Sequence, residues 1–141
     1  IEYNVRMGDP ECQVIMPRLK TDLFKIISFS LKNKLRNLKI IWKKNKCMTI
    51  VLCSKGYPGN YKKNKVLNLN KVKNKKNLFL IHAGTKNIEN KIFTNGGRVL
   101  NIVSLGNNYK KIRNNIFQTI KKINWRESFF RRDIGWRVIK N

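Results

Sequence analysis

Two apolar runs, CMTIVLCS (47–54) and RVLNIVSLG (98–106), constrain the fold of this chain most strongly. Each is short enough for a buried strand, and the turn sequence KGYPGN stops the first of them. Three shorter runs lie between them and predict further strands: VLNL (66–69), LFLIHA (78–83) and IFT (92–94). We therefore expect several antiparallel strands between residues 47 and 106.

Two amphipathic patterns predict helices on either side of these strands. The first covers about residues 17–35, where Pro17 suits the first helical turn. The second covers about residues 108–123, where Asn107 or Asn108 suits the N-cap position. Apolar residues recur at helical spacing in both, and we expect these faces to be buried: Leu19, Leu23, Ile26, Ile27, Leu31 and Leu35 in the first, and Tyr109, Ile112, Ile116, Ile120 and Ile123 in the second.

The chain opens with IEYNVRM (1–7), which alternates apolar and polar residues. This alternation predicts a strand with one polar face and one buried apolar face. The segment Gly8-Asp9-Pro10 should end the strand, because Gly permits turn dihedrals and Pro cannot continue a hydrogen-bonded ladder. The aromatic, basic segment FFRRDIGWRVI (129–139) is too short for a domain and is expected to dock as a tail. The order of elements predicts an α+β fold.

The charge of the chain leaves two classes of function open. Its 141 residues include 32 Lys and Arg against 7 Asp and Glu, a formal net charge of +25. Such an excess fits a basic nucleic-acid-binding module. The lysines, however, crowd three Asn-rich stretches (31–46, 61–77 and 107–123), as expected where any solvated polar side chain is tolerated. Compositional drift on solvated faces is therefore preferred, and nucleic-acid binding is the alternative.

Cysteine usage indicates the compartment. The three cysteines are odd in number and lack C-x-x-C spacing, and Cys47 and Cys53 have apolar neighbours. This is typical of small buried thiols in a reducing compartment. No apolar run approaches the ~18 residues that a membrane span needs. We expect a cytoplasmic protein with no membrane partner.

The polar face of the first predicted strand offers ligands for a metal ion. Side chains two apart on a strand lie about 6.5–7 Å from each other on the same face, so Glu2 and Asn4 can both direct oxygen atoms at one ion. A carboxylate and a carboxamide oxygen suit Mg²⁺, which takes few protein ligands. Arg6, next on that face, can hold a carboxylate or phosphate. An edge strand with solvated polar residues explains the same pattern.

Six motifs occur along the chain: RMGDPECQ (6–13), PRLKTDL (17–23), GYPG (56–59), HAGT (82–85), TNGGRVL (94–100) and RRDIGWR (131–137). In this order, they resemble the signatures of the phosphoribosylamine–glycine ligase (glycinamide ribonucleotide synthetase) family and cover nearly the whole chain. The resemblance implies that residues 1–36 form the end of an ATP-grasp domain, with its last strand and helix. Residues 37–141 would form the synthetase C-terminal domain, a small antiparallel β-rich, barrel-like domain with a packed helix.

The resemblance also implies an activity and roles for particular residues. The family joins glycine to 5-phosphoribosylamine with ATP, through a glycyl phosphate, in purine biosynthesis. Glu2 and Asn4 would be the ligands of Mg²⁺ or Mn²⁺ bridging the ATP phosphates. Arg6 and Asp9 would be catalytic, and the implied substrate-binding residues are Arg6, Gly8, Asp9, Asn95, Gly96 and Arg98.

Two positions depart from the family motifs, and others have more than one possible role. Met7 stands where the family has Phe or Leu, and Lys55 replaces the first Gly of its Gly-Gly-Tyr-Pro-Gly turn. We expect His82 to form a hydrogen bond within the domain rather than to act as an acid or base. An arginine at 131 or 132 would reach a substrate phosphate or pair with Asp133.

The family's adenine pocket, phosphate loop and N-terminal domain would lie upstream of this sequence. We therefore expect the 141 residues alone to be inactive and to depend on the upstream ATP-grasp and N-terminal domains of the same polypeptide. A decayed relative that kept the fold and lost the activity is a further possibility.

Overall fold

The computed structural model describes residues 5–73, 75–123 and 125–139. Short 3-10 helices occur at Met16–Arg18 and Leu35–Asn37. The α-helices are α1 (Cys12–Ile15), α2 (Leu23–Leu31), α3 (Tyr109–Ile120) and α4 (Trp136–Ile139). The strands are β1 (Lys46–Ser54), β2 (Val66–Leu67), β3 (Leu78–His82), β4 (Thr85–Ile88), β5 (Lys91–Thr94), β6 (Arg98–Gly106) and β7 (Ser128–Phe129).

The strands form two antiparallel sheets. One has the order β3-β6-β1-β7 and the other the order β2-β5-β4. The long strands β1 and β6 pair along their whole length, from Lys46 opposite Gly106 to Cys53 opposite Arg98. These are the two apolar runs of the sequence, and the α+β prediction is confirmed. Of the described helices, none is long and apolar enough to cross a membrane.

The core lies between one face of the larger sheet and α3. Ile50 of β1 and Leu100 of β6 are buried against Ile116 of α3, and all three are at most 1% exposed. Asn108 caps α3, because its side-chain oxygen accepts a hydrogen bond from the Lys111 backbone N–H at 3.0 Å. The second predicted helix is therefore confirmed with Asn108 as the cap, although it ends at Ile120. Of its predicted face, Tyr109 is only partly buried, and the four isoleucines are buried: Ile112, Ile116, Ile120 and Ile123.

The first predicted helix is shorter than residues 17–35. Asp22 caps the start of α2, where its carboxylate accepts a hydrogen bond from the Lys25 N–H at 2.8 Å. Asn33 ends the helix with a left-handed φ of 53°, and the Lys34 N–H returns to the Phe29 carbonyl at 2.8 Å. Pro17 lies instead in a separate 3-10 turn. The cap and the left-handed Asn override the longer apolar periodicity.

The predicted buried face of this helix is wrong for the described residues. Leu31, Ile27 and Leu23 of that face are 80%, 49% and 39% exposed, and Phe24, which lies outside the predicted face, is 78% exposed. Apolar spacing shows only that a helix is amphipathic. It does not show whether a partner is present to cover the apolar face.

The opening strand lies only partly in the described residues. Residues 1–4 fall outside them, and residues 5–7 form no strand. Val5 and Met7, predicted to face the core, are exposed. A strand needs a neighbour for its backbone hydrogen bonds, and no described strand pairs with residues 5–7.

Candidate functional site

The turn formed by residues 6–11 lies against the start of β6. The Asp9 carboxylate pairs with Arg98, with Oδ2 and Nη2 3.2 Å apart, and Arg98 Nη1 also donates to the Asp9 carbonyl at 3.3 Å. Gln13 Nε2 donates to the other carboxylate oxygen at 2.7 Å. Both carboxylate oxygens of Asp9 therefore have a partner, and the turn is held to the strand across 89 residues of sequence.

A β-bulge aims Arg98 at this turn. Between Leu52 and Cys53 the register of β1 against β6 shifts, so that Leu52 faces Leu100 while Cys53 faces Arg98. The extra residue on β6 is Val99, which is buried with the core. A one-residue shift moves a side chain to the other face of a sheet. The bulge thus places Arg98 away from the α3 core, on the face where Asp9 lies.

The loop before β6 is fixed by backbone contacts with the segment HAGT (82–85). The Asn95 N–H donates to the Gly84 carbonyl at 2.7 Å, and the Gly84 N–H donates to the Arg98 carbonyl at 2.9 Å. The two backbones are so close that a Cβ atom on Gly84 would lie 2.7 Å from the Cα of Gly96. The predicted residues Asn95, Gly96 and Arg98 therefore form one unit, and Asp9 is joined to it through Arg98.

A second contact holds the same loop from the GYPG turn. The Tyr57 ring covers Gly97, where a Cβ atom would meet the ring at 2.0 Å. Ser54, only 2% exposed, donates from Oγ to the Gly96 carbonyl and from its backbone N–H to the Gly97 carbonyl, both at 2.8 Å. Ser54 and Gln13 belong to this arrangement although sequence reasoning singled out neither. Ser54 lies two residues before the GYPG motif, and Gln13 ends the first motif.

The other predicted residues of the first segment are less constrained. Gly8 accepts a hydrogen bond from the Cys12 N–H at 2.8 Å. Arg6 is exposed and donates to the neighbouring Met7 carbonyl at 3.3 Å. Within the described ranges, Arg6 forms no ion pair.

The proposed metal ligands, Glu2 and Asn4, lie outside the described residues. Among the residues that are described, no group of three or more His, Cys, Asp or Glu side chains is placed to hold a metal ion. Asp9 is occupied by Arg98 and Gln13.

His82 forms a hydrogen bond within the domain, as expected from its sequence context. Its Nδ1 lies 3.0 Å from Thr85 Oγ1, across the HAGT turn. The imidazole thereby orients the turn that contributes Gly84 to the site. The one side-chain hydrogen bond that His82 forms with a described residue is this contact with Thr85.

The cysteines are free, and Cys53 is buried beside the bulge. Burial raises the pKa of both Cys47 and Cys53 above the ordinary value for a thiol. A raised pKa leaves less of the reactive thiolate at neutral pH, which disfavours a nucleophilic role for either thiol.

The arginine that pairs with Asp133 is Arg131. Its Nη2 and Nε donate to the two carboxylate oxygens at 2.6 and 3.1 Å. This bidentate contact lowers the pKa of Asp133 below its ordinary value. Because the pKa is lowered in the folded state, the pair contributes stability above the unfolded-state pKa and loses it as the pH falls. The pair is exposed, so we expect a local effect rather than a large one.

The variant Arg131→Gln is expected to raise the pKa of Asp133 toward the ordinary aspartate value. Arg132→Gln is the matched control, since Arg132 does not contribute to this shift. A pH titration of the Asp133 carboxyl carbon by NMR measures both. An unchanged pKa in Arg131→Gln, or an equal rise in Arg132→Gln, would show that the bidentate pair is not its cause.

Comparison with known families agrees with the motifs. A sequence profile described as "Phosphoribosylglycinamide synthetase, C domain" matches residues 47–137, which include all but the first residue of β1, the whole of β6 and the loop carrying Asn95. The chain belongs to the phosphoribosylglycinamide synthetase C-domain family. The resemblance drawn from six motifs is confirmed.

Relatives of this C-domain family member are named for a ligase. It is 45% identical over 136 residues to the phosphoribosylamine–glycine ligase of Caldanaerobacter subterraneus, covering 96% of this chain and 32% of that protein. It is 39% identical over 143 residues to the chloroplastic phosphoribosylamine–glycine ligase of Arabidopsis thaliana, covering 99% of this chain and 27% of that protein. The chain thus spans about a third or less of these relatives.

A solved structure agrees with the fold. The crystal structure of a phosphoribosylamine–glycine ligase from Thermotoga maritima matches 94% of this chain and 32% of its own length. The TM-score is 0.71 at 27% sequence identity. This C-domain family member therefore shares its architecture with part of a ligase of known structure.

Proposed function

We propose that this chain supplies the C-terminal part of a phosphoribosylamine–glycine ligase, which joins glycine to 5-phosphoribosylamine with ATP in purine biosynthesis. The observation that carries the proposal is the contact between Asp9 and Arg98. It brings the first motif of the family onto the Asn-Gly-Gly-Arg loop, although the two are far apart in the sequence. Family membership and the names of the relatives support the same activity.

The chemistry proposed for this site is mainly positioning and charge neutralisation. Phosphorylation of glycine by ATP gives a glycyl phosphate, and the amine of phosphoribosylamine then displaces that phosphate. Arg6, whose guanidinium has no ion-pair partner among the described residues, would hold the glycine carboxylate or a phosphate. Asp9 would lie beside the reacting groups, with Gly8 as a backbone contact.

The loop residues would complete the site from the C-terminal domain. Arg98 would hold Asp9 in place and form one edge of the substrate site, because its guanidinium is already directed at the Asp9 carboxylate. Gly96, which has no side chain, would let the backbone approach the substrate closely beside Asn95. Their backbone is fixed by Gly84 and Ser54, which makes a preformed wall.

A divalent ion is the cofactor that this donor set fits. Glu2 and Asn4 would hold Mg²⁺ or Mn²⁺ through one carboxylate and one carboxamide oxygen, and the ion would neutralise charge on the ATP phosphates. In the described part of the chain, no cluster of carboxylates offers an alternative site for a metal ion.

We also propose the division of the chain at about residue 36. Residues 1–36 would belong to an ATP-grasp domain, and residues 37–141 to the C-terminal domain. The exposed apolar face of α2, with Phe24, Ile27 and Leu31, supports this division, because the remainder of an ATP-grasp domain would cover it. We propose a cytoplasmic location from the free cysteines, although the Arabidopsis relative is named as chloroplastic.

A chimeric enzyme tests the proposed function. In the Caldanaerobacter ligase, the segment aligned with this chain would be replaced by the chain itself. We expect the chimera to restore growth without added purines to a bacterium that lacks the ligase, whereas the parent truncated before this segment will not. A folded, soluble chimera that fails where the intact parent succeeds would contradict the proposal and favour a decayed relative.

A further inference from the structure

A cleft of about 450 Å³ lies between residues that precede β3 and the C-terminal half of α3. Among the described residues, its lining includes no acidic side chain and four lysines: Lys71, Lys73, Lys75 and Lys122. Asn115 and Gln118 of α3 add carboxamide groups to the same lining. Every charged group in this described lining is therefore a hydrogen-bond donor with positive charge.

Two of the three Lys- and Asn-rich stretches, 61–77 and 107–123, meet at this cleft. The C-terminal end of α3 has a partial negative charge, which favours Lys122 at that place. It does not account for the three lysines that come from a different part of the chain. Four like charges around one concavity repel each other, and an anion bound between them would relieve this repulsion.

The cleft is separate from the site proposed for ligation. It is formed with α3, which covers the core face of the larger sheet. Asp9 and Arg98 meet on the opposite face, where the bulge directs Arg98. A ligand in the cleft would therefore not occupy the position of the glycine or of the phosphoribosylamine.

We propose that this cleft binds a small molecule carrying a pyrophosphate group, such as a nucleoside diphosphate. Paired phosphates match four ammonium groups in charge, and the carboxamides can donate to further oxygens. Val72 and Leu78 also line the cleft and offer an apolar surface to the remainder of the molecule. The proposal does not depend on the ligase activity.

Calorimetric titration of the 141-residue chain with pyrophosphate at ~50 mM salt tests the site. The cleft variant Lys73→Gln with Lys122→Gln is expected to bind at least about tenfold more weakly. The control variant Lys32→Gln with Lys91→Gln removes the same charge from exposed lysines elsewhere, and we expect less than a twofold change. A third variant, Arg98→Gln, should bind as tightly as the wild type.

Any of the following results would contradict the proposed pyrophosphate site. Equal losses in the two lysine variants would mean that net charge alone attracts pyrophosphate. Weaker pyrophosphate binding by Arg98→Gln would place the anion at the ligation site instead of the cleft. The absence of saturable binding would show that the chain has no pyrophosphate site. Inorganic phosphate binding as tightly as pyrophosphate would refute the need for paired phosphates. Tighter binding of a short single-stranded RNA, falling steeply from ~50 to ~200 mM salt, would instead indicate a nucleic-acid surface.

Discussion

The variant Gly84→Ala is expected to lower the free energy of unfolding by about 3 kcal/mol, near the upper end of what overpacking usually costs. A Cβ atom on Gly84 would lie 2.6 Å from the Arg98 carbonyl oxygen and 2.7 Å from the Cα of Gly96. Both are backbone atoms, so no side-chain rotation can relieve the contact. Because Gly84 does not have a left-handed φ, the effect would come from the close approach alone.

A matched glycine separates this effect from the general cost of replacing a glycine. Gly59 also lacks a left-handed φ, and a Cβ atom there would have only the Gly56 carbonyl oxygen nearby, at 3.3 Å. We expect Gly59→Ala to change the stability by less than about 0.5 kcal/mol, as for most surface substitutions. Urea unfolding of both variants measures the difference. Equal stabilities would mean that HAGT and the Asn-Gly-Gly-Arg loop are not packed as closely as the structure has them.

The parts of the fold that the sequence predicts are those with strong local signals. β1 and β6 follow from long apolar runs, and α3 follows from a cap and a periodic face. β4 was missed because its residues, Thr85–Ile88, contain one apolar side chain and are a strand only through pairing with β5. The opening strand was predicted from alternation, but residues 5–7 have no described partner strand, and alternation cannot supply one.

The site was predicted as a set of residues but not as an arrangement. The family motifs indicated Asp9, Asn95, Gly96 and Arg98 without showing which of them touch. The contact between Asp9 and Arg98 depends on the bulge at Val99, and nothing in the run RVLNIVSLG marks where the register shifts. Supporting contacts such as that of Ser54 arise only after both strands are paired.

The variant Glu2→Gln in the chimeric ligase is expected to lower kcat about 100-fold or more. The change keeps the shape of the side chain and removes the negative charge that would attract the divalent ion, whose charge neutralisation contributes several kcal/mol in such reactions. The magnesium concentration at half-maximal rate should rise as well. Glu89→Gln is the matched control, since Glu89 is exposed in the turn between β4 and β5, and it should leave both quantities unchanged.

The most direct measurement of the central claim is glycine-dependent release of ADP with 5-phosphoribosylamine present. It compares the purified chimera with its Glu2→Gln variant across a magnesium titration. That claim is that this chain completes a phosphoribosylamine–glycine ligase and that its first residues supply the metal ligands. We expect an active chimera and a variant slowed about 100-fold, with a higher magnesium requirement. A folded chimera without glycine-dependent ADP release would contradict the ligase function, and an unchanged Glu2→Gln variant would remove Glu2 from the metal site.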